Sequence, residues 1–262
     1  MKRTRQLSRT LKEENPPKVQ KTLSFAPTPT PAKLLWELKD GGSVRLIRNF
    51  LTPSEANQLQ KECTYDKEKP SYINWKQEYM RIGGKQIPFP RMSAFLGEKA
   101  NTCYRYSGLT KVSVPWSSRI AALKKRIDQE ADQEFNVAIL NYYYDGNSHM
   151  GWHSDDQKDL LENGEIASLS LGASRTFRLR HKQYQQATTE NKKDFHLDVE
   201  LQHGDLLLMG GTLQKYWKHC VPKAPKKANC TDPRINITFR TVVGSALSQL
   251  DSVDTDDITK CE

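Results

Sequence analysis

Two strand-like segments of the chain carry side chains that could hold a metal ion beside a dicarboxylate. The first segment contains Asn141, Tyr143, His153 and Asp155, and the second contains His219, Arg234, Asn236 and Arg240. Imidazoles and carboxylates are metal ligands, and arginine pairs with carboxylates through a planar fork that keeps its charge. The combination predicts a metal centre next to an anion-binding wall, which is typical of iron enzymes that use dioxygen.

The potential ligands His153 and Asp155 are two residues apart, so on an extended strand they would project from the same face. One more imidazole would complete a set of two histidines and one carboxylate. Such a set leaves coordination positions open, as a non-haem Fe(II) site requires. By chance alone, a His-x-Asp pattern arises in roughly a third of chains of this length. A solvated turn without metal is the alternative, and the metal prediction therefore depends on further residues.

The segment from Arg234 to Arg240 alternates strictly between polar and apolar residues. Ile235, Ile237 and Phe239 would face one side of a strand, and the two arginines would face the other side with Asn236 and Thr238. The arginine positions would lie roughly 20 Å apart, so their long arms could converge on the two ends of a small dianion. The alternative is an ordinary half-buried strand with a solvated polar face.

Four motifs in chain order resemble those of the AlkB family of Fe(II)- and 2-oxoglutarate-dependent dioxygenases. They are Asn141-Tyr142-Tyr143-x-Asp145-Gly146, His153-x-Asp155-Asp156, Trp217-x-His219 and Arg234-x-Asn236-x-Thr238-Phe239-Arg240. The stretches 152–156 and 166–177 are most similar to the animal-type DNA and RNA repair branch. The resemblance covers roughly residues 34 to 243.

The resemblance implies a role for each matching position. The iron ligands would be His153, Asp155 and His219. The residues that hold 2-oxoglutarate would be Asn141, Tyr143, Arg234, Asn236 and Arg240. The implied reaction uses Fe(II), 2-oxoglutarate and dioxygen to hydroxylate an N-methyl group, which then leaves as formaldehyde. For 1-methyladenine and 3-methylcytosine in DNA, and also in RNA, this would be direct-reversal repair of alkylation damage.

The substrate contacts are predicted from the same resemblance and from the need to extract the base. A methylated Watson–Crick edge is hidden in a duplex, so the base must be flipped out or presented on a single strand. The segment 104–108, with Tyr104, Tyr106 and Ser107, is similar to the family's nucleotide-recognition lid. Tyr106 and the His153 ring would sandwich the base, and Asp156 would accept a hydrogen bond from its exocyclic amine. The branch commonly has a glutamate after Asp156, where this chain has a glutamine.

A hairpin is predicted around Gly83-Gly84, between two runs that contain apolar residues. In the family, a hairpin near this place probes the nucleic acid. Arg81, Lys85 and Arg91 would suit contacts with phosphates, although a solvated basic loop is an equal alternative. The Gly-Gly tip carries no bulky aromatic residue, which favours single-stranded or locally melted substrates.

Composition and charge favour nucleic acid over a small metabolite. The chain has 262 residues, a net charge of +9 and a mean hydropathy of −0.75. Residues 1–33 carry +6, residues 251–262 carry −4, and the middle of the chain therefore carries about +7.

Three regions are predicted: a disordered basic tail at 1–33, the dioxygenase domain at 34–243 and a disordered acidic tail at 244–262. The basic start of the chain, from Lys2 to Arg5, suits nuclear import or a nucleic-acid arm. The segment from Gln20 to Phe25 is similar to a sliding-clamp-binding box, but it lacks the expected aromatic pair.

The fold predicted for the domain is α+β and mainly β, with two sheets, helices on one of them and a jelly-roll core, which is the double-stranded β-helix that the resemblance implies. Thr52-Pro53-Ser54-Glu55 predicts a capped helix that ends near Cys63. Trp116 is predicted to begin the apolar stripe of a second helix, which continues through Ile120, Leu123 and Ile127.

The cellular context is predicted from the cysteines and from apolar runs. Five cysteines without a Cys-x-x-Cys motif suit free thiols and ferrous iron in the nucleus, or in the cytoplasm. No apolar run is long enough for a signal peptide or a membrane span. A monomer without a membrane partner is expected.

Three alternatives to DNA repair are considered. A related oxygenase that acts on RNA, or on a protein side chain, would use the same iron and keto-acid ligands. A nucleic-acid-binding protein without turnover is disfavoured because every ligand position carries a competent residue. A zinc hydrolase would leave the strand with Arg234 and Arg240 unexplained.

Overall fold

The computed structural model describes residues 32–69, 71–98, 102–106, 109–243 and 248–249. Most of both predicted tails lies outside these residues, including the clamp-like segment from Gln20 to Phe25. Ser107 and the side chains of Tyr104 and Tyr106 also lie outside the described part of the chain. Within it, no helix has the length and apolar character needed to cross a membrane.

The described residues form sixteen strands and three α-helices. The strands are β1 (Lys33–Glu37), β2 (Gly42–Ile47), β3 (Lys76–Ile82), β4 (Lys85–Gly97), β5 (Thr102–Tyr106), β6 (Leu109–Val112), β7 (Val114–Pro115), β8 (Val137–Tyr143), β9 (Met150–His153), β10 (Ile166–Gly172), β11 (Arg175–His181), β12 (His196–Leu201), β13 (Leu206–Gly211), β14 (Trp217–Val221), β15 (Arg234–Arg240) and β16 (Ser248–Gln249). The helices are α1 (Pro53–Cys63), α2 (Ser118–Ala131) and α3 (Leu213–Tyr216).

Two sheets with an apolar layer between them make the core. The larger sheet has the order β1-β2-β13-β10-β15-β8-β4-β3, with β7 also paired to β4, and the smaller sheet has the order β12-β11-β14-β9. Leu46 and Leu207 of the larger sheet belong to the same buried cluster as Phe177 and Leu179 of the smaller one. Strands β5, β6 and β16 form a third, separate sheet. The predicted fold class, mainly β with a jelly-roll core, is confirmed.

Helix α1 covers the outer face of the larger sheet and begins where the sequence predicts. The Thr52 hydroxyl accepts a hydrogen bond from the backbone N–H of Glu55, and the Glu55 carboxylate accepts one from the backbone N–H of Thr52. This reciprocal cap satisfies two amides that the helix itself cannot pair. Ala56 and Leu59 of the helix pack into the apolar cluster of the sheet.

Helix α2 lies in the same outer layer, and its start corrects one prediction. Ile120, Leu123 and Ile127 are buried as expected, but Trp116 precedes the helix. The reason is the cap: Ser117 has extended backbone angles, and its side chain accepts the N–H of Ile120. Trp116 still packs against the same apolar cluster from the segment before the helix.

Strand β15 separates the helix layer from the space between the sheets. Its apolar residues Ile235, Ile237 and Phe239 lie in the cluster below the helices. Its polar residues are turned the other way and are at most 7% exposed. The predicted alternation is therefore confirmed, and the alternative of a solvated polar face is excluded because the whole strand is buried.

The predicted hairpin is present between β3 and β4. Ile82 pairs with Lys85 across a two-residue turn, and both turn glycines have positive φ, 56° at Gly83 and 77° at Gly84. This turn conformation is costly for residues with a Cβ atom. A Cβ atom at either glycine would meet nothing within 4 Å, so the tip projects away from the described protein.

Candidate metal centre and anion-binding site

Two histidines and an aspartate converge at the end of the smaller sheet. His153 is the last residue of β9 and pairs directly with His219 of β14, with ring centroids 4.1 Å apart. Potential ligand atoms of His153, Asp155 and His219 all lie within 4.8 Å of one another. One metal ion could therefore be reached by all three side chains.

Asp155 lies in the loop after β9, because the strand ends at His153. Two hydrogen bonds hold this loop against the chain around α3. The backbone N–H of Asp155 donates to the side-chain oxygen of Gln214 at 2.9 Å, and the Ser154 hydroxyl donates to the Trp217 carbonyl at 2.8 Å. The position of the carboxylate is thus set by tertiary contacts and not by strand pairing.

The surroundings of both imidazoles suit metal binding. The Nδ1 atom of His153 lies 2.9 Å from the carbonyl of Gly151, which can only accept, so Nδ1 donates there and Nε2 is the nitrogen directed to the triad. Burial lowers the pKa of His219 to about 3, and the neighbouring His153 adds to the effect. A neutral imidazole is the form that binds metals.

Arg240 of β15 approaches the same carboxylate from the larger sheet. Its Nη2 atom lies 2.9 Å from Oδ1 of Asp155, and both side chains are less than 5% exposed. This charge-assisted contact fixes the carboxylate relative to β15. The metal triad and the arginine strand therefore form one buried polar cluster.

Arg234 lies at the other end of β15, with unmet hydrogen-bonding capacity. One of its nitrogens, Nη2, donates to the Ser170 hydroxyl at 2.9 Å, and the guanidinium lies 5.2 Å from the centre of the Tyr143 ring. Burial lowers the pKa of Arg234. Among the described residues, Nε and Nη1 of Arg234 and Nδ1 of His219 have no hydrogen-bond partner. Buried donors in this state suit an acceptor-rich ligand, and a carboxylate fits.

Asn236, between the two arginines, is engaged within the wall itself. Its amide nitrogen donates to the Ser168 hydroxyl at 2.8 Å and to the Leu169 carbonyl at 3.1 Å, and its oxygen accepts from Thr238 at 2.8 Å. The structure thus brings Asn236 to the cavity, and its contact with a dicarboxylate stays a prediction. Ser168 and Ser170 were not among the predicted site residues, although their two-residue spacing on one strand face was a readable signal.

Asn141 of β8 is oriented by a residue from the hairpin. The Nε atom of Arg91 donates to Oδ1 of Asn141 at 3.0 Å. Since that oxygen accepts from Arg91, the amide nitrogen of Asn141 is available on the other side. Tyr143, two residues further along β8, is 1% exposed and faces the same cluster.

These residues line one narrow cavity between the sheets. Its lining residues are Asn141, Tyr143, Met150, His153, Asp155, Ser168, Phe177, Met209, His219, Val221, Arg234, Asn236, Thr238 and Arg240. The cavity has a volume of about 20 Å³, so a five-carbon dicarboxylate requires the side chains to move outward. All eight residues predicted to bind metal or 2-oxoglutarate lie here.

A wider cavity of about 330 Å³ adjoins this one at Met150 and His153. Its lining residues are Glu78, Met80, Phe89, Pro90, Arg91, His149, Met150, Gly151, Trp152 and His153. Two predicted substrate contacts, Arg91 and the His153 ring, lie in it. Trp152 is 38% exposed, and the guanidinium of Arg180 lies 4.3 Å from the centre of its ring.

Comparisons with known proteins agree with this geometry. The family described as "2OG-Fe(II) oxygenase superfamily" matches residues 43–240. The chain is 34% identical over 203 residues to "Alpha-ketoglutarate-dependent dioxygenase alkB homolog 3" of Mus musculus, covering 76% of this chain and 66% of that protein. It is 31% identical over 190 residues to "DNA oxidative demethylase ALKBH2" of Mus musculus, covering 72% of this chain and 76% of that protein. The chain belongs to the AlkB family.

Among solved structures, the chain is similar to one titled "The structure of OsALKBH1", with 16% sequence identity. The alignment covers 76% of this chain and 96% of that chain, with a TM-score of 0.48.

AlkB-family membership implies iron, 2-oxoglutarate and dioxygen as cofactor and co-substrates. The donor set described above suits them, with neutral imidazoles and a carboxylate for iron and unmet arginine donors for an anion. The chain spans about 66% of the length of the first mouse relative.

Among the predicted substrate contacts whose side chains the structure describes, Asp156 is the one that lies outside the cavity beside His153. It lines a third cavity, of about 450 Å³, together with Gln157 and Lys158. Its carboxylate is 59% exposed and lies 3.6 Å from the ammonium group of Lys182. The structure therefore does not bring Asp156 together with Arg91 in the cavity beside His153.

Arg175 is a further residue that the sequence analysis missed. It is 4% exposed and donates to the backbone carbonyls of Asp145, Ser148 and Pro222. These carbonyls belong to the loop between β8 and β9 and to the loop after β14, which adjoin the strands that carry His153 and His219. One buried guanidinium thus ties both loops together.

Proposed function

We propose that this chain is an Fe(II)- and 2-oxoglutarate-dependent dioxygenase that demethylates 1-methyladenine and 3-methylcytosine in DNA, and also in RNA. The observation that carries the proposal is the shared wall at His153, where a base-sized cavity adjoins the metal triad. The names of the relatives, which include a DNA oxidative demethylase, support the same class of substrate.

In this proposal, His153, Asp155 and His219 hold the iron. Asn141, Tyr143, Arg234, Asn236 and Arg240 form the pocket for 2-oxoglutarate, with Arg234 pairing one of its carboxylates. The bound iron and keto acid supply oxidation of the N-methyl group at the expense of dioxygen and decarboxylation, giving succinate, carbon dioxide and formaldehyde.

The protein's own residues orient and shield the reacting groups. Arg240 keeps the Asp155 carboxylate in place, and the Gly151 carbonyl orients the His153 ring by accepting from Nδ1. The surrounding side chains, including Phe177 and Met209, leave a cavity of about 20 Å³ and would exclude bulk water from the centre. A dry site strengthens the charge pairs on which binding of the dianion depends.

The methylated base would lie in the wider cavity, against the His153 ring. Phe89 and Trp152 supply apolar surface there, since both line the cavity, and stacking on such rings is tolerant of base identity. Tyr104, Tyr106 and Ser107, which resemble the family's lid, are part of this proposal as further contacts with the base.

The nucleic-acid backbone would run past the β3–β4 hairpin. Arg81 and Lys85 are exposed near a tip that projects into open space. Tyr79 and Ile87, on the shaft of the hairpin, are 49% and 40% exposed and offer apolar surface to unpaired bases. This arrangement favours single-stranded or locally melted substrates over an intact duplex.

Direct-reversal repair by a monomer in the nucleus, and also in the cytoplasm, is part of the same proposal. The basic segment from Lys2 to Arg5, which suggests nuclear import, lies outside the described residues. The same is true of the clamp-like segment from Gln20 to Phe25, and a sliding-clamp contact stays a prediction.

Formaldehyde release from matched oligonucleotides tests the proposal. The substrates are single-stranded DNA, duplex DNA and RNA that carry 1-methyladenine or 3-methylcytosine, with Fe(II), ascorbate and 2-oxoglutarate, and with His153→Ala as the comparison. We expect release that is largest on single strands and lost in His153→Ala. Turnover of 2-oxoglutarate without base repair would contradict the substrate assignment, and the absence of both with iron bound would contradict the enzymatic function.

A further inference from the structure

Glu78 occupies an irregular point of the β3–β4 hairpin. Gln77 pairs with Met92 and Tyr79 with Pro88, so the three residues 89–91 of β4 stand opposite Glu78 alone. Pro90 has no N–H to donate to the strand ladder. The Phe89 carbonyl accepts from the Gln77 side chain at 2.8 Å. Such bulges change the direction of nearby side chains. Here Glu78 and Arg91 both line the cavity beside His153.

Lys111 of β6 binds the Glu78 carboxylate. The two form an ion pair, and the Lys111 ammonium also donates to the Ser93 hydroxyl at 3.1 Å. The exposed fractions of the two side chains are 17% for Glu78 and 7% for Lys111. Burial lowers the pKa of Lys111. A buried ion pair is a poor source of stability because both charges lose their hydration, so a role in recognition is a reasonable explanation for it.

We propose that Glu78, fixed by Lys111, is the specificity-determining residue that accepts a hydrogen bond from the exocyclic amino group of the methylated base. The inference rests on the proposed function. Methylation at N1 of adenine or N3 of cytosine leaves a cationic ring with an amino group beside the methylated nitrogen. A carboxylate only accepts hydrogen bonds, so it matches this edge in both charge and hydrogen bonding.

The same carboxylate would reject bases with a carbonyl at that position. In 1-methylguanine and 3-methylthymine the ring is neutral, and an oxygen replaces the amino group. Two acceptors would then face each other once the base fills the cavity, which leaves both unsatisfied. Glu78 would therefore separate amino bases from oxo bases.

The other polar groups of this cavity do not serve the same purpose. Arg91 is a donor and is directed to Asn141. His149 has Nδ1 at 2.9 Å from the Asn147 carbonyl, and His153 belongs to the metal triad. Among the described residues, Glu78 is the acidic side chain that lines this cavity, whereas Asp156 pairs with Lys182 in another cavity.

Binding and turnover of four single-stranded oligonucleotides test the assignment. They carry 1-methyladenine, 3-methylcytosine, 1-methylguanine or 3-methylthymine, and are otherwise identical. Affinity is measured by fluorescence anisotropy with EDTA present, and turnover by formaldehyde release. In Glu78→Gln we expect about a tenfold or greater loss for the amino bases and no loss for the oxo bases, because an amide can donate to a carbonyl. Glu98→Gln, at an exposed position directly after β4, should leave the preference unchanged.

A paired variant addresses the charge that Glu78→Gln leaves behind. Glu78→Gln with Lys111→Met removes both buried charges, and it should lose the preference for amino bases while remaining folded in thermal melts. A folded variant of either kind that keeps the wild-type preference would overturn the role of Glu78. Failure of the wild-type protein to bind or repair any methylated oligonucleotide would instead overturn the proposed function.

Discussion

The inner wall of the site, formed by β14 and β15, differs from the outer hairpin, formed by β3 and β4, in how deeply its side chains are buried. His219, Arg234 and Arg240 are at most 4% exposed and lie on strands that pair on both sides. On the hairpin, Tyr79 is 49% exposed, and the Gly83-Gly84 tip contacts nothing nearby. The chemistry of a metal and a dicarboxylate needs fixed donors, whereas recognition of a nucleic acid is compatible with an edge strand that can adapt.

The largest expected effect comes from removing a metal ligand. Asp155→Ala deletes the one carboxylate of the triad and the partner of Arg240. Loss of a group that merely orients a ligand costs about 10–100-fold in metal affinity, so loss of the ligand itself should cost more than about 100-fold. Mn(II) affinity, measured by electron paramagnetic resonance titration, reports this without turnover. Asp198→Ala, on exposed β12, is the matched control. Unchanged Mn(II) affinity in Asp155→Ala would remove this residue from the metal site.

Arg234→Met should weaken binding of 2-oxoglutarate and leave the metal in place. A charge-assisted hydrogen bond contributes about 1.5–3 kcal/mol, which predicts about a 10–100-fold rise in the KM for 2-oxoglutarate. Methionine fills similar space without a buried charge, so the fold should persist. Calorimetric titration of 2-oxoglutarate into the Mn(II)-loaded protein measures the affinity directly. Arg178→Met, an exposed arginine on β11, is the control. Equal affinities in both variants would show that Arg234 does not pair the dicarboxylate.

The inner wall was also the region that the sequence predicted best. Strict alternation from Arg234 to Arg240 gives the face of each residue directly, since a one-residue shift would turn every side chain over. The capping box of α1 was equally readable because all its contacts lie within four residues.

Contacts between distant segments were not readable in the same way. The bond from Arg91 to Asn141 joins residues 50 apart and depends on the pairing of β4 with β8. The direction of Asp156 depends on Lys182, and the direction of Glu78 depends on a bulge at Pro90. Register and bulges of this kind are set by tertiary packing, and no local pattern marks them.

Arg91→Met tests whether the hairpin and the inner wall are coupled. Without the bond from Nε of Arg91, the Asn141 amide can turn over and lose its donor toward 2-oxoglutarate. We expect about a tenfold rise in the KM for 2-oxoglutarate. In Asn141→Ala the further effect of Arg91→Met should disappear, as in a double-mutant cycle between contacting residues. A change confined to the KM for the oligonucleotide would mean that Arg91 serves the base alone.

The smallest effects are expected at the hairpin tip, where contacts would be electrostatic and exposed. Arg81→Ala and Lys85→Ala should each weaken binding of single-stranded DNA by a few-fold. Each should also reduce the slope of log affinity against log salt by about 0.7, the value for one lost phosphate contact on a single strand. Anisotropy titrations at several salt concentrations measure both quantities. Lys125→Ala, on the exposed side of α2, is the control. Helix α2 packs on the outer face of the larger sheet, which is turned away from the space between the sheets.

The salt slope distinguishes a phosphate contact from a loss of hairpin structure. A variant that only distorts the hairpin would lower the affinity without a matching change in slope, since counterion release depends on the number of neutralised phosphates. If affinity and slope both stay at wild-type values in the two variants, the tip does not touch the nucleic acid. The nucleic acid would then have to contact another exposed segment. The lysines around the third cavity, Lys158, Lys182 and Lys215, are one such group.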